Sequence, residues 1–117
     1  MYYIFIVVLE NCLFSMYAME LLKKYNINFK HLKVTSTDKD TYKTQDIQTF
    51  PQVYLKKKST EDSLLLGGYT DLKKFFDIFI DVKYDENNVI KFQKKYPLWN
   101  KHSVLRLIEL INLKRLH

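Results

Sequence analysis

The chain opens on an unbroken apolar run, Tyr3-Ile4-Phe5-Ile6-Val7-Val8-Leu9, rich in β-branched residues. Continuous apolarity without alternation predicts a central strand buried on both faces. Glu10-Asn11 ends it, with Asn11 as the expected N-cap, and from Cys12 the period changes. Phe14, Tyr17, Ala18, Leu21, Leu22 and Tyr25 recur at three- and four-residue steps, which predicts a helix. Lys23 and Lys24 in its last turn suit the helix dipole. After a break at Asn26-Ile27-Asn28, Phe29 to Val34 reads as a second strand. The stretch from Lys33 to Gln48 is polar, with Tyr42 and Ile47 as its apolar anchors, and a weak surface helix is expected over about Asp38 to Ile47.

Gln52 to Leu55 and Ser63 to Leu66 read as the third and fourth strands, joined by the polar turn Lys56 to Asp62 and paired as a hairpin. Gly67-Gly68 ends the fourth. Leu72, Phe75, Phe76, Phe79 and Ile80 then fall at i, i+3, i+4, i+7 and i+8, the strongest helical signal in the chain, with Thr70 or Asp71 as its expected cap. The order β-α-β-α-β-β-α predicts an α/β domain over residues 1–83, a four-stranded mixed sheet with helices on both faces. Composition shifts after Lys83. Tyr84 to Asn88 reads as a polar linker, Pro97 breaks structure around it, and an amphipathic helix is expected from Lys101 to Leu116. Its stripe is Val104, Leu107, Ile108 and Ile111, widened by Leu105 and Leu110. Residues 84–117 thus read as a linker and C-terminal helical extension whose apolar face, over 101–116, needs a partner: the domain itself, a second copy or another protein.

Length and charge narrow the picture. The 117 residues suit one domain, and nearly half are apolar, enough for a core. The formal net charge is +6, which attracts acidic partners. Yet the basic residues are spread out, and the longest run, Lys56-Lys57-Lys58, reads as a solvated turn, which argues against nucleic acid. A single cysteine excludes an internal disulfide and points to a reducing compartment: cytoplasm, nucleus, or an intracellular viral or parasite setting. The N-terminal apolar run has no basic flank and no small-residue cleavage site, so it does not read as a signal peptide. No stretch approaches the roughly 20 apolar residues of a membrane span, and no membrane partner is expected. His31, His102 and His117 are too scattered to suggest a metal site.

Three segments carry candidate chemistry. Cys12-Leu13-Phe14-Ser15 opens a helix directly after a buried strand. Thr49-Phe50-Pro51-Gln52-Val53 leads into the third strand, and Gly67-Gly68-Tyr69-Thr70-Asp71 into the phenylalanine-rich helix. In this order and spacing they resemble the glutaredoxin family of the thioredoxin fold, over about residues 3–80. That family carries Cys-Pro-Tyr-Cys or a monothiol variant, then Thr-Val-Pro-Gln-Val, then Gly-Gly-x-x-Asp. The resemblance implies that Cys12 is the catalytic nucleophile, Phe14 the motif aromatic and Ser15 the second, resolving position. Thr49, Pro51, Gln52 and Val53 match the proline motif, with Phe50 for the usual Val. Gly67, Gly68 and Asp71 match the last motif. Glutathione is the implied co-substrate. The Phe50 backbone, before a cis Pro51, would pair with its cysteinyl part; Thr70 and Asp71 would hold its γ-glutamyl end, with Phe14 and Gly68 completing the site. Glutathionylated proteins or small disulfides are the implied substrates. The physics suits the role, since a helix N-terminus stabilises a thiolate through its free N–H groups and dipole.

This sequence departs from the pattern in three places. Ser15 permits only a monothiol cycle, in which Cys12 takes glutathione from a mixed disulfide and a second glutathione releases it. Leu9 and Glu10 stand where active members usually carry a Lys that supports the thiolate. Leu13 stands where iron–sulfur-binding members have Gly, and its branched side chain disfavours a 2Fe-2S cluster. A second class therefore stays open: a catalytically weak or inactive thioredoxin-fold binding or structural module that uses its C-terminal extension for assembly.

Overall fold

The computed structural model describes residues 1–81 and 85–113. The elements are β1 (Tyr2–Leu9), α1 (Leu13–Lys24), β2 (Phe29–Val34), β3 (Gln52–Lys57), β4 (Ser63–Gly67), α2 (Tyr69–Phe79), α3 (Glu86–Lys95) and α4 (Lys101–Asn112). β1 pairs parallel with β2 and antiparallel with β3, and β3 pairs antiparallel with β4. The result is an α/β fold on one four-stranded mixed sheet of order β2-β1-β3-β4.

The apolar run of β1 becomes a central strand because it is the one segment able to lose water on both faces. Ile4, Ile6 and Val8 point to one face, where Val53, Leu55 and Leu66 of the neighbouring strands join them in the core. α1 adds Ala18 and Leu22, and α2 adds Leu72, Phe75, Phe76 and Phe79. Each fully buried side chain of this size contributes about 1.5–3 kcal/mol.

The expected coverage by helices on both faces is not what forms. The core side chains of all four described α-helices join the cluster built on the Ile4, Ile6 and Val8 face. On the other face lysine ammonium groups lie over half-buried rings: Lys56 Nζ is 4.1 Å from the Phe5 ring centre, and Lys30 Nζ 4.8 Å from that of Tyr3. The helix expected over Asp38 to Ile47 would have covered that face. It shrinks to a single 3₁₀ turn, Lys39–Tyr42. Two apolar anchors cannot supply the buried stripe that stabilises a short helix. The segment is instead tied down by polar groups. The buried Gln52 donates from Nε2 to the Tyr42 carbonyl at 2.8 Å and accepts from the Tyr54 hydroxyl at 3.0 Å.

Two caps also differ from expectation. Asn11 has φ +57°, left-handed backbone incompatible with an N-cap, and Cys12, with extended backbone, takes the N-cap position of α1. Gly68 is the N-cap of α2. Asp71, in the first turn, reaches back so that its Oδ2 accepts from the Gly68 N–H at 3.0 Å, while Thr70 is exposed.

The C-terminal region is more structured than a linker and one helix. Residues 86–88, expected as linker, form the first turn of α3, whose N-cap Asp85 accepts from the Asn87 N–H at 2.9 Å. Pro97 does follow the helix end, at Tyr96. The expected junction at Lys83 and Tyr84, and residues 114–116 of the expected last helix, lie outside the described residues. Val89, Phe92, Trp99, Val104, Leu107 and Ile111 all join the common core, so the apolar face of α4 packs on its own domain. Trp99 donates from Nε1 to the Leu65 carbonyl of edge strand β4 at 3.0 Å. Buried Asn112 closes the end of α2, donating to the Phe79 carbonyl at 3.0 Å and accepting from the Asp81 N–H at 2.9 Å. Among the described residues, no helix is long and apolar enough to cross a membrane.

Candidate functional site

At the carboxyl end of β1, the left-handed Asn11 turns the chain so that Cys12 starts α1. An N-cap side chain stands beside the free N–H groups of the first helical turn, a favourable place for an anion. Cys12 is half-buried, and its thiol approaches the Phe50 carbonyl oxygen, with Sγ 3.8 Å away. The Phe50–Pro51 peptide is cis, and Pro51 is buried. The Cys12 thiol and the backbone before Pro51 are thus neighbours, though 38 residues separate them.

From Phe50 a groove of about 680 Å³ runs along the start of α2, within the range of small-molecule sites. Phe14, Phe50, Gly68, Thr70 and Asp71 line it. Of the residues expected to act together, Pro51 lies buried beneath this lining, and Cys12 meets the groove through the Phe50 carbonyl. Gly67 has a reason to be glycine: its φ is +136°, and a Cβ there would stand 2.2 Å from Asp71 Oδ2. The turn and the carboxylate are therefore built around each other.

Ser15 does not share the groove. It is 2% exposed, and its hydroxyl oxygen accepts from the Leu9 N–H at 3.1 Å, tying the first turn of α1 to the end of β1. Glu10 is also engaged, since its Oε1 accepts from the Ser36 N–H at 3.1 Å, stitching the ends of β1 and β2. Phe14 is 56% exposed, and with Tyr17 and Tyr69 it forms a triangle of rings with centres 5.8–6.2 Å apart. Leu13 and Met16 are exposed beside it, so the surface around the thiol is apolar.

The residue that sequence reasoning missed is Tyr96. It lines the groove from the C-terminal region, and its hydroxyl donates to Asp71 Oδ1. Its ring stacks on Phe92, 4.5 Å between centres. Burial, and then the hydrogen bond and charge of Asp71, push the Tyr96 hydroxyl well above the ordinary phenol range, so it stays a donor. Both oxygens of Asp71 thus already receive a donor from this chain, Gly68 N–H on one and Tyr96 O–H on the other. No motif announces this contact: Tyr96 is 25 residues from Asp71 and sits before a proline in a polar stretch. The opposite wall, at Asp46 to Thr49, is shaped by Thr44, whose hydroxyl oxygen accepts from the N–H groups of Asp46 and Ile47 at 3.2 and 3.1 Å. Among the described residues, no three His, Cys, Asp or Glu side chains converge as metal ligands would.

No protein-family model and no curated protein matches this chain.

Proposed function

We propose that the chain is a monothiol, glutathione-dependent thiol–disulfide oxidoreductase of glutaredoxin type, with a thioredoxin-like fold. The observation that carries this reading is the adjacency of Cys12, at a helix N-terminus, to the Phe50 backbone before a cis proline, at one end of a groove that leads to the α2 N-terminus.

The reaction follows from one thiol. The Cys12 thiolate attacks the glutathione sulfur of a mixed disulfide. A Cys12–glutathione disulfide forms, and the target leaves as a thiolate that takes up a proton. A second glutathione thiolate then attacks the bound glutathione sulfur, expelling Cys12 as a thiolate and leaving glutathione disulfide. Ser15 forms no intramolecular disulfide, so both steps use glutathione. In this reading the Phe50 backbone orients the cysteinyl part of the ligand. The unpaired N–H groups at the start of α2, around Thr70, face its γ-glutamyl carboxylate. Asp71 faces the ligand's ammonium group. Phe14 and its ring partners offer an apolar surface to the protein that carries the mixed disulfide.

One observation favours the alternative, a weakly active binding module. Tyr96 already donates to the carboxylate that the ammonium group would use. A coupled assay on a glutathionylated peptide with excess glutathione separates the two. Turnover by the wild type that falls to background in Cys12→Ser supports the oxidoreductase; no turnover by folded wild type, or turnover that survives the substitution, overturns it.

A further inference from the structure

A second groove, of about 860 Å³, lies at the other end of the sheet. It is walled by the start of β1 and β2, the end of β3 and one side of α4. Cys12 follows the opposite end of β1, and the strand between them spans about 23 Å. The groove plays no part in the proposed thiol chemistry. We propose that it binds an organic polyphosphate, with a nucleoside diphosphate as the smallest ligand that uses all of its parts.

Charge is the first argument. Lys30, Lys57, Lys58 and Arg106 line the groove against one carboxylate, Glu109. Glu109 is spent on Arg106, with Oε2 2.8 Å from Nη1. Four cations less one carboxylate leave three positive charges, half of the chain's formal +6, in one concavity. Among the described residues, none of the three lysines is in an ion pair.

The lysines are also positioned. Lys30 Nζ sits 4.8 Å from the centre of the Tyr3 ring, and Lys57 Nζ 5.8 Å from that of Tyr2. The Lys58 N–H donates to the Met1 carbonyl at 2.8 Å, which pins the turn that carries both Lys57 and Lys58. Cations held in this way lose less freedom when an anion arrives. Asn28 and His102 add polar groups to the lining, and Phe29, Leu110 and Leu113 give it an apolar part. Inorganic phosphate would leave that part unused, whereas a phosphorylated nucleoside covers it with its base and sugar. Lys57, beside Tyr2, shares the sheet face that carries α4, and Lys30, beside Phe5, lies on the opposite face. The cations therefore flank the end of the sheet from both sides and do not run as a stripe, which fits a small ligand better than a nucleic-acid strand.

The test is an amide-resolved titration of the full chain with ADP, alongside adenosine, pyrophosphate, a short single-stranded oligonucleotide and a polyglutamate peptide. ADP should give saturable shifts at Phe29, Lys30, Lys57 and Lys58. Pyrophosphate should bind more weakly, and adenosine should not saturate. Lys30→Glu/Lys58→Glu changes two exposed side chains and should weaken ADP at least about tenfold, because two charge-assisted hydrogen bonds are lost. Glu109→Gln releases Arg106 and should tighten ADP, so one variant gains where the other loses. Absence of saturable ADP shifts in the groove, pyrophosphate binding as tight as ADP, preference for the oligonucleotide or the acidic peptide, or indifference to both variants would each overturn the proposal.

Discussion

At the residue scale, Ser15 and Asp71 show how a motif position takes on local structural duties. Ser15 stands at the second position of the Cys12 motif, but its hydroxyl serves the part-buried Leu9 N–H. Ser15→Ala would leave that donor unpaired and should cost about 1–3 kcal/mol in denaturant unfolding. Because no step of the proposed cycle uses Ser15, turnover per folded molecule should hardly change. A large loss of turnover with unchanged stability would show that the hydroxyl acts in the chemistry instead. Asp71 was legible as a candidate through the resemblance of Gly67, Gly68 and Asp71 to the Gly-Gly-x-x-Asp motif, and it lines the groove. Its second partner was not legible. Tyr96 reaches it only through the tertiary packing of a helix that the polar sequence of 84–88 conceals. For the same reason Asn11 was a reasonable N-cap by type, but the turn out of β1 needs a left-handed residue there, and asparagine tolerates that conformation.

At the element scale, the strands and the three helices with apolar periods, α1, α2 and α4, were readable, because burial decides them and burial shows as period. The elements that departed from expectation have little apolar content to read. Residues 38–47 carry two anchors and settle into a 3₁₀ turn held by Gln52; α3 buries only Val89 and Phe92. Yet α3 delivers Tyr96 to Asp71, which gives the contact a pH signature. The folded state holds the Tyr96 proton more tightly than the unfolded chain does. Its contribution to stability is therefore complete below the unfolded phenol value of about 10 and is lost as pH rises above it. The stability difference between wild type and Tyr96→Phe should be constant from neutral pH to about pH 9 and should shrink above pH 10. Unfolding curves of both proteins across that range check it. A difference that does not change through pH 11 would mean that Tyr96 ionises alike in both states.

At the scale of the whole molecule, one core serves two ends of a sheet. The residues that resemble glutaredoxin and the C-terminal region share that core, so the region is part of the fold and its apolar stripe is already partnered. Ending the chain at Asp81 would remove Val89, Phe92, Trp99, Val104, Leu107 and Ile111 from the cluster. At about 1.5–3 kcal/mol each, their loss is as large as the whole stability of an ordinary domain. The truncated chain should show no cooperative unfolding transition and collapsed amide dispersion. A folded truncated domain would instead mark 85–113 as an appendage. That all the core-forming helices lie on one face could not be foreseen from the order of elements, because a crossover segment too polar to form a helix leaves the other face to lysines and rings. The central claim concerns the groove beside Cys12, and it is tested most directly by titrating glutathione into the Cys12→Ser protein, where binding is read without chemistry. Saturable amide shifts at Phe50, Thr70 and Asp71 are expected, with Lys30 and Lys58 at the far groove unmoved; silence at those three amides, or shifts confined to the far groove, would contradict it.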